Sequence, residues 1–574
     1  MSAGADASYC WWKHGVVYQI YPRSFFSLIR GDDEGGKGVL GIDRPCATSG
    51  GGGRIGTLLG IRAKLDYIDA LGVAAIWLSP VQPSPNADFG YDQSNYCDVD
   101  PTLGSKRDFK DLVTECHERG IRVILDGVFN HTSDQHAWFA ESRRSKTSLK
   151  RDWYVWRKEI PNNWKANFGG GAWTRDSKFT GEYYLHSFLP TQPDLNWRNP
   201  EVVAAVLESM KYWLDIGVDG YRLDVFNCYF KDEKLRSNPR RWDPLGLAGA
   251  ALFPFISQHH IHDRDQVGDM LRVLKQMRCL IDKKPGRMLV GETLDETFLY
   301  KNAAQYCGRD KLNLAFNFRL LHASWGATSF RKAILQWTRA LGKGWPTWVV
   351  SNHDMRRHAS RWGVRSRKTT DDRMKLVALL LMTLRGTPFL YYGEELGMRD
   401  ASIPKCKIVD PPGVRYWPFY KGRDGCRTPM QWDGSTYGGF SNGNPWMVLN
   451  KDAAVRNVKR QSEDNDSVLG TYRDVIALRK RHKVLQMGSM DIPEENKKSL
   501  LVFYRKSKQR VAIILNFGRR RSVDLRSHFC DTTTVSLLYS TAYGHHKKAL
   551  LSLSNDSSSI ELCKNEGVVI LGDA

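Results

Sequence analysis

Four apolar, strand-like segments of this sequence end in polar residues that have no obvious place in a protein core. They are DGVFNH at 126–131, GYRLDV at 220–225, VGET at 290–293 and SNHD at 351–354. A single aspartate at the end of a strand is more often a helix cap or a salt-bridge partner than a catalytic group. Four such ends are harder to explain by capping, because converging carboxylates raise one another's pKa values. We therefore expect Asp224, Glu292 and Asp354 to form a catalytic cluster.

The reaction that uses such a cluster is the hydrolysis of a glycosidic bond. It needs one carboxylic acid that protonates the leaving oxygen and a second carboxylate for the anomeric carbon. If the second carboxylate is the nucleophile, the two groups lie about 5–5.5 Å apart and the anomeric configuration is retained. A third carboxylate can hold the hydroxyl groups of the sugar through the oxocarbenium-like transition state.

The segments that must position these residues alternate between short apolar runs and amphipathic helical patterns. Eight strand-like runs lie at 16–22, 74–80, 122–128, 220–225, 287–293, 312–318, 345–354 and 387–395. Helical patterns lie between or after them, at 106–119, 201–216, 266–281, 330–341, 373–384 and 467–482. Eight strands that alternate with helices predict an α/β fold, the (β/α)8 TIM barrel, whose active sites lie at the carboxyl ends of the strands.

Two further regions are expected outside the barrel. The interval between the third strand and its helix is long and rich in Trp, Asn and Gly, which predicts an excursion domain after strand 3. After about residue 487 short alternating runs predict a C-terminal antiparallel β-domain. The expected domains are a barrel from 1–130 and 199–486, an excursion domain from 131–198 and a β-sandwich from 487–574. The Gly-rich stretch at 28–56 is predicted to be a flexible insertion.

The composition narrows the range of partners. The formal charge is +22, but the basic residues are spread along the chain and no nucleic-acid module accompanies them. The 11 cysteines show no CxxC pair or zinc-ligand spacing, which favours reduced thiols. No apolar run resembles a signal peptide or approaches the length of a membrane span. We expect a cytoplasmic monomer or homodimer that acts on a small-molecule substrate, without a nucleic-acid or membrane partner.

The four motifs, in this order, resemble the signature regions of glycoside hydrolase family 13, the α-amylase family. QPDLN at 192–196 matches a fifth signature region, and the resemblance extends from about residue 11 to residue 572. Within the family, the sequence is similar to the α-glucosidase and oligo-1,6-glucosidase group. The resemblance implies a retaining, exo-acting α-glucosidase. Such an enzyme removes terminal α-linked glucose from maltose-, isomaltose- or sucrose-type substrates through a covalent glucosyl-enzyme intermediate.

The resemblance also implies roles for individual residues. Asp224 matches the nucleophile, Glu292 the general acid/base and Asp354 the group that stabilises the transition state. Arg222 stands two residues before the nucleophile and therefore faces the same side of the strand. It resembles an arginine that keeps the nucleophile ionised through a charge-assisted pair.

Further residues match positions that bind the sugar. His131 and His353 match histidines that hydrogen-bond the sugar at the cleavage site, and Arg357 matches another sugar-contacting arginine. Asp92 resembles the residue that binds the 4-hydroxyl of a terminal glucose, and Arg423 resembles its partner from the loop after strand 8. Such a pair would close the site beyond the non-reducing end, so that one glucose is released at a time.

Linkage preference and the fate of the glucosyl group stay open at the level of sequence. Val225, next to the nucleophile, resembles α-1,6-acting members, whereas QPDLN and the segment around Arg423 resemble enzymes that favour short α-1,4 substrates. The same catalytic residues would serve a transglucosylase or a sucrose isomerase, which passes the glucosyl group to a sugar instead of water. A more remote alternative is a non-catalytic relative, similar to the barrel-bearing subunits of amino-acid transporters.

No cofactor is implied, and we expect no bound metal ion. Where relatives carry an acidic loop after strand 1, this chain has GGGGRIGT at 50–57, with Arg54 in place of the carboxylates. Calcium and magnesium need several oxygen ligands, mainly from carboxylates. A metal ion at this loop is therefore not expected.

Overall fold

The computed structural model contains a central sheet of eight parallel strands. The described residues are 9–29, 53–243, 254–259, 267–294, 300–493, 499–529, 534–542, 550–552 and 559–572. The strands are β1 (Val17–Ile20), β2 (Ala75–Leu78), β3 (Arg122–Gly127), β4 (Gly220–Leu223), β5 (Met288–Gly291), β6 (Leu314–Ala315), β7 (Thr347–Val349) and β8 (Thr387–Tyr391). Their order in the sheet is β7-β8-β1-β2-β3-β4-β5-β6. The eight predicted strands and the TIM barrel are confirmed.

A side chain joins the two ends of this sheet. Thr347 Oγ1, at the start of β7, donates a hydrogen bond of 2.6 Å to the carbonyl of Ala315 on β6. Strand β6 is shorter than the predicted 312–318, because Asn313 Oδ1, instead of a backbone carbonyl, accepts the Leu289 N–H at 2.9 Å. Strands such as β1 and β2 are buried at every position, which explains why they read as continuous apolar runs.

Helices surround the barrel and follow the predicted positions closely. The α-helices of the described residues are Trp11–His14, Pro22–Phe25, Leu58–Arg62, Leu65–Leu71, Lys106–Glu118, Ala137–Arg144, Pro200–Ile216, Val267–Ile281, Tyr300–Gln305, Ala327–Leu341, His358–Trp362, Arg367–Thr383, Pro411–Tyr416, Val458–Ser462, Val468–Arg481 and Lys483–Met487. Ser105 caps the helix that follows β2 in a capping box with Asp108. The helix predicted at 373–384 begins earlier, at Arg367, because Ser366 caps a polar first turn that shows no apolar period.

The long interval after β3 folds into a small sheet-containing unit. Its strands are Trp156–Arg157, Trp173–Arg175 and Tyr183–Leu185, which pair antiparallel with the last strand in the middle. Trp164 and Trp173 are buried together in its core. The excursion expected after strand 3 is therefore present, whereas its bounds at 131–198, like the bounds of the other domains, stay predictions.

The C-terminal region is antiparallel, as predicted. Six strands form one sheet, in the order Ser489–Asp491, Leu500–Lys506, Arg510–Asn516, Gly567–Gly572, Thr534–Ser540 and Leu550–Ser552. Arg521–Asp524 pairs with Ser559–Leu562 in a second sheet. Val523 and Ile560 of the second sheet share a buried cluster with residues such as Val502 and Ile514 of the first. The sequence predicts C-terminal strands at 500–505, 510–517, 534–540, 559–562 and 568–571 and does not predict Ser489–Asp491, Arg521–Asp524 or Leu550–Ser552.

The predicted insertion at 28–56 falls mostly on residues 30–52, which lie outside the described residues. Arg54 is described, and its backbone forms an isolated parallel bridge with Pro445. Among the described residues, no group of three or more His, Cys, Asp or Glu side chains is arranged to hold a metal ion. In the same part of the chain, the helices are all too short or too polar to span a membrane.

Candidate active site

A cavity of about 330 Å³ opens at the carboxyl ends of the barrel strands. Its charged and imidazole side chains include Asp88, Asp224, Glu292, Asp354, His131, His353 and Arg423. Its apolar side chains include Phe168, Phe188, Val225, Phe255, Ile256, Leu294, Phe318 and Met355. A larger groove of about 720 Å³ lies between the excursion and the loop after β4, but the described residues that line it include none of the strand-end carboxylates. The smaller cavity is therefore the candidate active site.

Arg222 joins three carboxylates beneath this cavity. Alternation along β4 puts Arg222 and Asp224 on the same side of the strand. Arg222 Nη1 donates to Asp126 Oδ1 and to Asp224 Oδ1, each at 2.6 Å, and Nη2 donates to Glu292 Oε2. Burial acts to lower the pKa of Arg222, but the three carboxylates outweigh burial and raise it. The guanidinium is therefore a fixed positive charge that holds the carboxylates together.

Asp224 and Glu292, two of these three carboxylates, differ in how readily they hold a proton. Burial raises the pKa of Asp224 to about 6, although Arg222 acts in the opposite direction. Burial also raises the pKa of Glu292 well above its usual range, and the neighbouring carboxylates Asp224 and Asp354 raise it further. Asp224 therefore ionises above about pH 6, and Glu292 is the carboxylate whose surroundings favour the protonated form. One acid and one ionised carboxylate in one site are the pair that a retaining glycosidase needs.

Asp354 lies on the other side of the cavity, between cations. Its Oδ1 accepts hydrogen bonds from Arg423 Nη1 at 3.0 Å and from Arg427 Nη2 at 3.1 Å. Burial acts against the charge on Asp354, but Arg423 and Arg427 hold its pKa below the usual range. Burial lowers the pKa of His353 to about 3, so this ring is neutral near pH 7. The arginines are therefore the cations that keep Asp354 ionised.

A chain of hydrogen bonds orients His353 and connects it to the Arg222 cluster. Gln19 Nε2 donates to His353 Nδ1 at 2.8 Å, which leaves the proton of the neutral ring on Nε2. His353 Nε2 lies 2.7 Å from the Tyr91 hydroxyl, which in turn donates to Asp126 Oδ2 at 2.9 Å. The rings of Tyr91 and His353 are stacked, with an interplanar angle of 2°. Polar groups on four different barrel elements are thus tied into one rigid network.

His131 is held in a similar way at the cavity wall. Its Nδ1 lies 3.1 Å from Asn130 Nδ2, and its Nε2 lies 2.8 Å from the carbonyl of Tyr91. Gln192, the first residue of the QPDLN motif, lies 3.1 Å from the same nitrogen.

Arg423 pairs with Asp88 as well as with Asp354 and Asp410, whereas the sequence pointed to Asp92. Arg423 Nη2 donates to Asp88 Oδ1 at 2.8 Å, and Asp88 lines the cavity. Asp92 is fully buried in the turn before it, where it accepts hydrogen bonds from Ser84 Oγ and from the backbone of Ala87. In the described residues Asp92 is absent from the cavity lining. Asp92 therefore shapes the loop, whereas Asp88 faces the substrate space.

Arg357 also lies away from the position expected of it. Its guanidinium is buried over the rings of Tyr391 and Tyr392, and Nη1 donates to the Tyr392 carbonyl at 2.6 Å. Arg357 is absent from the cavity lining formed by the described residues. Arg427 is likewise absent from this lining, but it contacts Asp354 and donates to the carbonyl of His353 at 2.8 Å. Its position in the RTPM segment, four residues after Arg423, was the sequence signal that could have identified it.

Val225 lines the cavity in a conformation that is rare for its type. Its φ is 35° and its ψ is 40°, in the left-handed region that disfavours β-branched residues. The side chain packs with Phe188 and Cys228 in a small apolar cluster. A residue held in this region costs on the order of 1–3 kcal/mol and is found mainly at functional sites. The backbone strain thus lies directly beside Asp224.

A buried arginine that links an aspartate and a glutamate with raised pKa values at the mouth of a TIM barrel is the arrangement expected of a glycoside hydrolase. The model of the family "Alpha amylase, catalytic domain" matches residues 19–488. The chain therefore belongs to the alpha-amylase family.

Relatives cover nearly the whole chain. A probable alpha-glucosidase of Rhizobium meliloti (strain 1021) is 43% identical over 507 residues, which are 86% of this chain and 87% of that protein. The oligo-1,6-glucosidase of Parageobacillus thermoglucosidasius is 37% identical over 89% of this chain and 91% of its own length. The crystal structure of the alpha-glucosyl transfer enzyme XgtA has a TM-score of 0.85 and 36% identity, and the match covers 99% of this chain and 100% of that chain. The trehalulose synthase MutB from Pseudomonas mesoacidophila MX-45 has a TM-score of 0.82 and 29% identity, with the same coverage of both chains.

Proposed function

We propose that this glycoside hydrolase is a retaining, exo-acting α-glucosidase. The observation that carries the proposal is the cluster in which Arg222 contacts both Asp224 and Glu292 while their pKa values differ. The names of the relatives, alpha-glucosidase and oligo-1,6-glucosidase, support the same activity. The substrates are short oligosaccharides with a terminal α-linked glucose.

The reaction takes two steps. In the first, Glu292 donates its proton to the glycosidic oxygen while a carboxylate oxygen of Asp224 forms a bond to the anomeric carbon. The aglycone leaves as an alcohol, and Glu292 is left ionised. In the second step Glu292 takes a proton from water, whose oxygen displaces Asp224 from the anomeric carbon and regenerates both groups. Each step inverts the configuration at the anomeric carbon, so the two steps together retain it.

Asp354 and the histidines would act on the hydroxyl groups of the bound glucose. Asp354 is kept ionised by Arg423 and Arg427, so it can accept strong hydrogen bonds as positive charge develops on the ring. His353 carries its proton on Nε2, which faces Tyr91 and Asp354 at the cavity wall. These donors and acceptors are fixed before the substrate arrives, which reduces reorganisation during the reaction.

The ion pair of Asp88 and Arg423 supports exo action. Both side chains are almost fully buried, and both line the cavity. A charged pair in this position can bind the 4-hydroxyl of a terminal glucose and leaves no space for a further sugar beyond it. Val225 narrows the cavity next to the nucleophile. Its presence there supports α-1,6-linked oligosaccharides as one class of substrate.

Transfer of the glucosyl group to another sugar is the second candidate activity. The part of the cavity lined by Phe255, Ile256 and Leu294 is apolar, so it offers few groups to position a water molecule. Solved relatives that are named as a glucosyl transfer enzyme and a trehalulose synthase support this alternative. The complete carboxylate cluster argues against a non-catalytic role.

The cellular setting is also part of the proposal. The nine cysteines of the described residues are all free thiols, which supports a reducing compartment such as the cytoplasm. A monomer or a homodimer is sufficient, because the described chain supplies every residue of the proposed mechanism.

Product analysis by NMR tests the proposal. Maltose, isomaltose and sucrose are incubated in parallel, with Asp224→Asn as the inactive control. We expect α-glucose to appear before its anomer, and the fastest substrate identifies the preferred linkage. New di- or trisaccharides in place of glucose would favour the transferase alternative. β-Glucose as the first product, or full activity of Asp224→Asn, would contradict the assignment.

A further inference from the structure

A short hairpin of the excursion contributes part of the cavity wall. In this 166–171 hairpin, Ala166 N donates to the Gly170 carbonyl at 3.1 Å, and Gly169 N donates to the Ala166 carbonyl at 2.9 Å. The turn presents Asn167 and Phe168 to the cavity. Gly169 has a φ of 97° and Gly170 a φ of 88°, so both lie in the left-handed region that favours glycine.

The tip of the hairpin rests against the short helix Pro411–Tyr416 of the loop after β8. A Cβ added at Gly169 would overlap the Tyr416 hydroxyl and come within 2.6 Å of Arg415 Nε. Two loops that are more than 200 residues apart in sequence therefore meet at Gly169, where an added Cβ would have to displace the side-chain ends of Tyr416 and Arg415. Tyr416 and Pro412 of this helix also line the cavity.

Both partners of this hairpin–helix contact also hold Arg423. From the hairpin side, the ring of Phe168 lies 4.8 Å from the Arg423 guanidinium, in a cation–π arrangement. From the helix side, Asp410 stands directly before Pro411 and is fully buried. Asp410 Oδ1 accepts from Arg423 Nε at 2.9 Å and from Nη2 at 2.7 Å. The position of Arg423 therefore depends on both loops at once.

We propose that the hairpin–helix contact is a specificity determinant: Gly169 allows the two loops to meet, and their contact fixes Arg423 for recognition of the terminal 4-hydroxyl. Gly169 is a positioning residue, since it acts on the substrate only through Phe168, Asp410 and Arg423. The inference rests on the proposed function, because it assumes that Arg423 and Asp88 bind this hydroxyl. A shift of about 1 Å in such a binding group is enough to lose most of its contribution.

Three neighbouring glycines provide a matched series of variants. Gly169→Ala combines a left-handed backbone with overlap at the contact. Gly170→Ala has the same backbone constraint, but its Cβ would lie at an ordinary 3.5 Å from Arg415 Nη2. Gly171→Ala has neither problem, because a Cβ there meets nothing within 4 Å. The series separates overlap at the contact from strain in the turn.

The readout is the ratio of kcat/KM for an aryl α-glucoside to kcat/KM for its 4-deoxy analogue. We expect a ratio of about 10 to 100 for the wild type, since hydrogen bonds to charged groups give this discrimination. Gly169→Ala is expected to lower the ratio at least about tenfold, whereas Gly170→Ala and Gly171→Ala keep it within about twofold. A variant that is merely less stable loses activity on both substrates alike and leaves the ratio unchanged.

Three results would overturn the proposal in distinguishable ways. A wild-type ratio near one removes the 4-hydroxyl assignment of the proposed function, and the inference with it. A wild-type ratio that persists in Gly169→Ala overturns the inference alone. Equal losses in Gly169→Ala and Gly170→Ala assign the effect to strain in the turn and also overturn it. If Gly169→Ala does not fold, the exposed Arg415→Ala loosens the contact from the helix side, and an unchanged ratio in that variant contradicts the inference.

Discussion

Replacing Asp88 and Asp92 separately by asparagine distinguishes a substrate-binding carboxylate from one that shapes a turn. The two residues are four positions apart in the same loop, and both are buried. Asn has the shape of Asp without the charge, so each variant tests the carboxylate with little change in packing. The structure predicts opposite outcomes for the two positions.

For Asp88→Asn we expect a loss of activity with little loss of stability. The variant weakens the ion pair with Arg423 at 2.8 Å and the proposed contact with the sugar. Hydrogen bonds between charged groups contribute about 1.5–3 kcal/mol each. Loss of the charged contact with the sugar therefore lowers kcat/KM by about 10- to 100-fold, since each 1.4 kcal/mol is a factor of ten. Asp410 still pairs with Arg423, which limits the structural cost.

For Asp92→Asn we expect the reverse. Asp92 Oδ1 accepts from Ser84 Oγ and Asp88 N, and Asn can retain these two bonds. The Oδ2 that accepts from Ala87 N at 2.8 Å is replaced by an NH2 group, which leaves two donors facing each other. The cost is about 1–3 kcal/mol of stability, with kcat/KM within about threefold of the wild type.

The assay combines kcat/KM on an aryl α-glucoside at 25 °C with the thermal unfolding midpoint of each variant. The expected pattern is low activity with a normal midpoint for Asp88→Asn, and normal activity with a lowered midpoint for Asp92→Asn. The reverse pattern, with the large activity loss at Asp92, would refute the argument from the loop geometry.

Further predictions concern charge. Activity should fall as the pH drops through about 6, because Asp224 becomes protonated, and it should fall again at high pH as Glu292 ionises. If the fall in activity at high pH persists in Glu292→Gln, this assignment is contradicted. Arg427→Met should lower kcat about 10²-fold, since Asp354 loses one of its two arginines, and an unchanged kcat would exclude this role. Arg505→Met should lower the unfolding midpoint but not kcat, because its guanidinium binds the carbonyls of Thr383, Leu485 and Gly488, far from the cavity.

The sequence predicted the parts of the site that lie on barrel strands. Alternation along a strand is regular, so Arg222 and Asp224 had to face the same side. The carboxyl ends of parallel strands meet at one face of the barrel, so Glu292 had to lie near them. These positions follow from the period of the strand and from the topology, and both can be read from the chain.

The loops after the strands were not predictable in this way. Around Asp88 the backbone takes positive φ values at Asn86, Phe89 and Gly90, so the chain reverses twice within five residues. No helical or strand repeat relates the side-chain direction of Asp88 to that of Asp92. Only the conformation of the turn determines which of the two side chains contacts Arg423. The positions of Arg357 and Arg427 were not predictable for a similar reason, since the loops that carry them have no regular repeat that fixes where a side chain points.

Val225 shows how local preference and tertiary structure conflict at the catalytic centre. A β-branched residue favours extended backbone, and the sequence predicts that the strand continues through Val225. The structure ends β4 at Leu223 and turns at Val225, because Phe226 N donates to the Glu292 carbonyl at 3.2 Å. Asp224 N likewise donates to the Gly127 carbonyl at 3.1 Å. The strained turn therefore joins the backbone of the nucleophile to that of the acid. The conformational free energy that the left-handed backbone costs at Val225 is offset by the fixed placement of both carboxylates.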